Sequence, residues 1–235
     1  MTQSETNLTA AGISSVLTVG LDDAPPAPMQ IGTPEDGDFR GYEVDLLEAL
    51  ARRLDVQLRY RRALWSVIVE ELAAGHIDVI CSAATVTDER RQQADFCDPH
   101  LDLTLAVVTR EGTADIGTDF AGLRVGLRRG TTAEDFARTH GVSEPAMLSE
   151  SNEELYAALA AGEFDVVIDD SPIATHFARV TPGLRYVGAL PDTDGAYAVM
   201  VRRGNKALVT AINAALADMK RDGTLAELQA RWMTI

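Results

Sequence analysis

The chain has 235 residues, of which 46% are hydrophobic and 24% charged, with a formal net charge of -15. That hydrophobic fraction excludes a mainly disordered chain, and the length suits two lobes of ordinary size. The acidic excess argues against nucleic acid and anionic membrane as partners, and no apolar run reaches the roughly eighteen residues that could span a bilayer.

In chain order, a polar tail (1–15) precedes a strand at Val16–Leu21 and a proline-rich loop, Ala24-Pro25-Pro26-Ala27-Pro28. Val44, Leu47, Leu50 and Leu54 recur at helical spacing and predict a helix over Tyr42–Leu54. Alternating Val56, Leu58 and Tyr60 predict a strand, followed by a helix from Trp65 to Ala74 and a short apolar strand. Thr87 is placed to cap a short helix with Asp88 and Glu89 in its first turn, the charge a helix N-terminus favours. The β-rich run Leu103–Thr109 leads into a polar loop from Arg110 to Asp119.

Beyond that loop the pattern predicts a strand at Leu123–Arg128, a Gly130-Thr131-Thr132 turn and a helix from Ala133 to His140 closed by Gly141. Ser151-Asn152-Glu153-Glu154 reads as a capping box, and Ser171-Pro172 as an N-cap followed by proline at the first helical position. Leu184–Leu190, the acidic turn Asp192-Thr193-Asp194-Gly195, a strand at Ala196–Val201 and two helices complete the chain. The first lobe is the expected apolar partner of those last helices.

One unit occurs twice. Leu72-Ala73-Ala74-Gly75-His76-Ile77-Asp78-Val79-Ile80 returns as Leu159-Ala160-Ala161-Gly162-Glu163-Phe164-Asp165-Val166-Val167-Ile168. Each copy predicts a helix ended by a glycine in the left-handed conformation, then a buried parallel strand. Polar residues follow both strands: Ser82, Thr85 and Arg90 after the first, Asp169, Asp170 and Ser171 after the second. Ligands of open parallel sheets bind beyond the carboxyl ends of the strands, so two such units predict two α/β lobes facing one cleft. Lobe 1 is expected at 16–108 and 196–235, and lobe 2 at 109–195. The chain would cross near Ala106–Arg110 and Pro191–Ala196, and two crossings make a hinge. For Cys81 and Cys97, one disulfide and two half-buried free thiols both stay open.

Gly41-Tyr42-Glu43-Val44-Asp45-Leu46-Leu47, Thr85-Val86-Thr87-Asp88-Glu89-Arg90, Asp95-Phe96-Cys97-Asp98-Pro99, Gly130-Thr131-Thr132 and Asp222-Gly223-Thr224-Leu225 to Trp232 together resemble the family 3 extracellular solute-binding proteins, the amino-acid receptors of ABC importers. The resemblance runs from Val16 to Trp232. It implies the type II periplasmic-binding-protein-like fold and a monomer that delivers a free amino acid to a membrane ABC permease. It also implies an extracytoplasmic location. Met1 to Ser15 has no apolar core of a secretory signal, so the expectation is a removed export signal, with the cytoplasm as the alternative.

A free amino acid needs a planar cation for its carboxylate and a carboxylate for its ammonium. Arg90 matches the family arginine that grips the α-carboxylate, with the Thr85 amide and hydroxyl and the Ala83 carbonyl completing that half. Asp170 matches the aspartate that holds the ammonium, and Asp169 is its neighbouring substitute. Asp22 and Thr132 are further polar contacts, or plain turn residues. Trp65 stands where an aromatic walls the side-chain pocket, or is a core tryptophan. Pro25 replaces a usual second aromatic and His100 a usual tyrosine. Arg128 reaches the ligand side chain if it points inward, which favours a polar or acidic ligand, and is a scattered surface charge if it points outward.

No catalytic residue, cofactor or metal is expected. His76, His100, His140 and His176 are dispersed without metal spacing. Cyclohexadienyl dehydratase resembles these receptors but carries a glutamate where Ile173 stands, and isoleucine cannot move a proton. A ligand-binding sensory module of a receptor is the other alternative.

Overall fold

The computed structural model describes residues 14–113, 116, 119–142 and 147–233, so most of the expected polar tail lies outside the described residues. The chain divides into two compact units. Unit 1 gathers the residues up to Pro25 with Met29–Leu101 and the segment from Ala196, while unit 2 gathers Pro26–Pro28 with Asp102–Gly195.

Unit 1 opens with β1 (Val16–Asp22), α1 (Tyr42–Leu54), β2 (Gln57–Ala63), α2 (Trp65–Ala73), β3 (Val79–Ile80), α3 (Asp88–Gln93) and β4 (Ala94–Phe96). The apolar stripe of α1 buries Val44, Leu47, Leu50 and Leu54, as its spacing requires. Thr87 caps α3 by accepting the Arg90 N–H at 3.1 Å.

At Leu101–Leu103 comes β5, where the chain passes into unit 2. There follow β6 (Leu105–Arg110), β7 (Val125–Arg128), α4 (Thr132–Thr139), β8 (Met147–Ser149), α5 (Asn152–Ala161), β9 (Val166–Asp170), α6 (Ser171–Val180) and β10 (Leu184–Ala189). The chain returns through β11 (Gly195–Tyr197) to β12 (Met200–Arg202), α7 (Lys206–Arg221) and α8 (Thr224–Met233). Helices α7 and α8 pack on α1, which covers their apolar faces.

Each unit has a five-stranded sheet, in the order β2-β1-β3-β12-β4 in unit 1 and β10-β6-β9-β7-β8 in unit 2. Strand β1 runs parallel to β2 and β3, and β7 parallel to β8 and β9. Antiparallel strands complete each sheet.

Four details differ from the sequence reading. The first crossing was expected at 108/109, whereas the division falls at 101/102, because β6 pairs along its length with β9 and β10 inside unit 2. The strand expected at Ala196–Val201 is two short strands, β11 and β12. The capping box is one-sided: Ser151 Oγ accepts the Glu154 N–H, but the Ser151 N–H goes to Ser149 Oγ at 3.1 Å. Helix α6 starts one residue early, with Asp170 as N-cap, because Ser171 is occupied by Thr104, exchanging both its N–H and its hydroxyl with that residue's backbone.

Candidate functional site

In unit 1, β1 and β3 deliver Asp22 and Ala83 to the carboxyl edge of the sheet. Asp22 is only 2% exposed; its N–H donates to Ser82 Oγ at 3.1 Å and its Oδ1 accepts the Ala24 N–H at 3.1 Å, a local turn. Ala83 has φ +52°, a backbone setting uncommon for a residue with a side chain. Its N–H donates to both Glu43 carboxylate oxygens, at 3.0 and 2.9 Å, which holds that turn in place.

The Thr87 cap sets Arg90 in the first turn of α3. From there Arg90 Nη1 donates to the Thr85 carbonyl at 2.9 Å, and the guanidinium lies 5.0 Å from the Trp65 ring centroid. The structure thus brings Thr85, Arg90 and Trp65 together. Trp65 is half-buried and packs against the Ile68–Ile80 cluster.

In unit 2, β9 ends at Asp169 and Asp170, which are 3% and 7% exposed. Thr132, first residue of α4, donates its hydroxyl to Asp170 Oδ1 at 3.3 Å. Asp169 faces the protein interior: Asn152 Nδ2 and the Tyr156 hydroxyl donate to its Oδ2 at 2.6 and 3.2 Å, and the Asp170 N–H to its Oδ1 at 2.8 Å. Burial, reinforced by the neighbouring Asp170 charge, pushes Asp169 up to about 7. Asp169 is therefore committed to the unit's interior, whereas Asp170 accepts the Thr132 hydroxyl.

Arg128 overturns its outward alternative. It is 5% exposed, donates from Nη1 to Asn152 Oδ1 at 2.9 Å and from Nε to the Glu150 carbonyl at 3.3 Å. Its neighbour Arg129 is the surface charge, paired with Glu150. Asn152 thus joins Arg128 to Asp169 in one buried polar network that the sequence reading missed. The available signal was weak: Asn152 opens α5, where a polar residue is ordinary. Glu43 was likewise missed, although a carboxylate on the apolar face of α1, next to Val44 and Leu47, is unusual.

Cys81 and Cys97 are free thiols, 1% and 4% exposed, hence buried rather than half-buried. Ile173 is 3% exposed in the first turns of α6.

L-cystine-binding protein TcyJ of Escherichia coli (strain K12) is 29% identical over 220 residues, covering 92% of this chain and 82% of that protein. Solved structures of an ancestral arginine-binding protein, one bound to glutamine and one to arginine, are 30% identical, with TM-scores of 0.85 and 0.86; they cover 94% of this chain and 98% and 99% of theirs. The ancestral amino acid-binding protein AncCDT-1, a precursor of cyclohexadienyl dehydratase, is 26% identical with TM-score 0.85, covering 99% of this chain and 100% of that one. The model of the bacterial extracellular solute-binding proteins, family 3, matches residues 17–235, and the chain belongs to that family.

Proposed function

We propose that this protein binds a free amino acid and delivers it to a membrane ABC transporter, outside the cytoplasm and as a monomer. Arg90 and the Thr85 and Ala83 backbone take the α-carboxylate, and Asp170 with Thr132 takes the α-ammonium. Closure about the two crossings, at 101/102 and 195/196, commits the ligand and presents the form a transporter recognises. The observation that carries the reading is the placement of Arg90, held by the Thr87 cap, the Thr85 carbonyl and the Trp65 face. Relatives named for cystine, arginine and glutamine binding agree with an amino-acid ligand.

We propose a polar side chain, with glutamine or glutamate ahead of arginine, because Arg128 brings a cation to the strand end while Pro25 removes one apolar wall. Buried Asp22 is the opposing charge. No chemical turnover is proposed, since Ile173 occupies the place of a proton donor.

A thermal-shift screen over the amino acids tests this reading. A ligand at 100 times its Kd stabilises the folded protein by about 2.7 kcal/mol. Silence across amino acids and small carboxylates sinks the binding role. Tightest binding of arginine would show instead that Asp22 sets the pocket charge. Turnover of prephenate or arogenate, lost in Asp170→Asn, would make the protein an enzyme.

A further inference from the structure

Three donor side chains of different chemistry meet in the interior of unit 1, behind the turn that carries Ala83 at the end of β3. Glu43 on α1 is 0% exposed, Cys81 just past β3 is 1%, and His100 just before β5 is 2%. One ligating atom from each lies within 4.8 Å of those of the other two. His100 Nε2 is 3.6 Å from Glu43 Oε1, beyond hydrogen-bond length. Among the described residues neither ring nitrogen of His100 has a hydrogen-bond partner.

The position of that ring is set from behind. The Tyr42 hydroxyl and Gln229 Nε2 both donate to the His100 carbonyl, at 2.6 and 3.0 Å, and the Tyr42 ring lies 5.6 Å from the imidazole. Buried polar groups are nearly always hydrogen-bonded, because an unpaired one gives up its water for nothing. An imidazole fixed in place with both nitrogens unanswered, beside a carboxylate and a thiol, calls for an electrophile that all three share.

We infer that Glu43, Cys81 and His100 form a site for one divalent transition-metal ion of the zinc class. Imidazole nitrogen, thiolate sulfur and carboxylate oxygen are the zinc donor set, and the thiolate selects against magnesium and calcium. Zinc bonds of about 2.0–2.3 Å put ligating atoms roughly 3.5 Å apart, so separations of up to 4.8 Å need to shrink by at most about 1.3 Å, shared between two side chains. Burial keeps His100 neutral, the ligating form, by pulling it down to about 3, while it pushes Glu43 up to about 7 and the Cys81 thiol upward. A cation reverses the last two, and the thiol proton, with any proton on Glu43, passes to solvent on binding. Glu43 also holds the Ala83 N–H, so the ion would brace the turn at the end of β3.

The test uses the full chain, stripped with chelator, equilibrated with Zn²⁺ or Co²⁺ and gel-filtered. The expected result is about one metal ion retained per chain and, with Co²⁺, a near-ultraviolet thiolate-to-cobalt absorption band. Cys81→Ala and His100→Gln should each weaken retention about tenfold or more, while Cys97→Ala leaves it unchanged. Should either variant fail to melt cooperatively, Cys81→Ser and the cobalt band of the unmodified chain decide. Negligible retention, a cobalt complex without the thiolate band, or retention undiminished in the Cys81 and His100 variants overturns the site.

Discussion

In unit 1, Asp78 accepts the Thr18 N–H on its carboxylate and returns its own N–H to the Thr18 carbonyl. In unit 2, Asp165 does the same with Arg124. One residue earlier in each copy, Ile77 and Phe164 are both 1% exposed and fill the space left by Gly20 in β1 and Gly126 in β7. The registers agree as well: Val19 pairs with Val79 as Val125 pairs with Val166. Carried to the strand ends, this equivalence matches Asp22 with Arg128, Ser82 with Asp169 and Ala83 with Asp170. The same framework thus presents a carboxylate where the other presents a guanidinium, and small neutral residues where the other presents two carboxylates. The framework is repeated because packing and backbone pairing demand it. The strand ends are free to diverge, and that is where the proposed ligand contacts lie.

The sharpest way to break this comparison is at those ends. Arg90→Ala and Asp170→Ala each remove one charge-assisted contact, worth about 1.5–3 kcal/mol, so calorimetry should show at least about tenfold weaker amino-acid binding with the melting behaviour retained. Unchanged affinity in either variant takes that residue out of the site.

The framework glycines come next. A Cβ on Gly126 would fall 2.7 and 2.8 Å from two Phe164 ring atoms, and a planar ring wedged in a core cannot bend aside. A Cβ on Gly20 meets chiefly the terminal methyl of Ile77, which a rotamer change can move. Gly126→Ala should cost about 1–3 kcal/mol in urea unfolding and Gly20→Ala clearly less. Equal losses would mean that the two cores yield alike.

A third difference concerns pH. Asp169 holds its proton more tightly folded than unfolded, since burial raises it to about 7. Stability from this group is therefore greatest below its unfolded value of about 3.9, declines as pH rises toward 7, and levels off above. Asp169→Asn should flatten the urea midpoint between pH 4 and 7, whereas Ser82→Ala, at the matching place in unit 1, should leave the slope alone. Parallel profiles for Asp169→Asn and the parent would show that the Arg128 charge and the hydrogen bonds from the Asp170 N–H and the Tyr156 hydroxyl already offset the effect of burial.

The smallest expected effect separates the two repeat aspartates. Hydrogen bonds from the Arg124 side chain and backbone hold Asp165 below the usual carboxylate range. Its stabilisation is present above the unfolded value and is lost as pH falls through the depressed one. With the side chain 27% exposed, solvent screens the pair. Asp165→Asn should cost up to about 1 kcal/mol at neutral pH, and less at high salt. Asp78→Asn should cost less than that and be insensitive to salt.

Much of this molecule is legible along the chain. The helix over Tyr42–Leu54 matches its apolar spacing residue for residue, the Thr87 cap forms, and both repeat glycines take positive φ, +77° at Gly75 and +81° at Gly162. Each of these depends on neighbours within a few positions, which the sequence displays directly. The ambiguous residues were those whose partners are remote. Asp169 and Asp170 are adjacent and chemically identical, and only Asn152 and Tyr156, brought beside β9 by α5, tell them apart. Arg128 and Arg129 are another such pair, separated because β7 ends at Arg128, buried on Asn152 and the Glu150 carbonyl, while Arg129 begins the turn and pairs with Glu150 at the surface.

The sequence by itself therefore determined the α/β class, the doubled unit, most helix ends and the family resemblance, because periodicity, caps and motif order are local properties of the chain. Tertiary structure alone decided which aspartate faces inward, that Arg128 is buried, and that β6 belongs to unit 2. It also decided that Glu43, Cys81 and His100 meet in one place, although none lies within fifteen residues of another. Such meetings arise from sheet pairing and helix packing between distant segments, and no spacing rule along the chain encodes them.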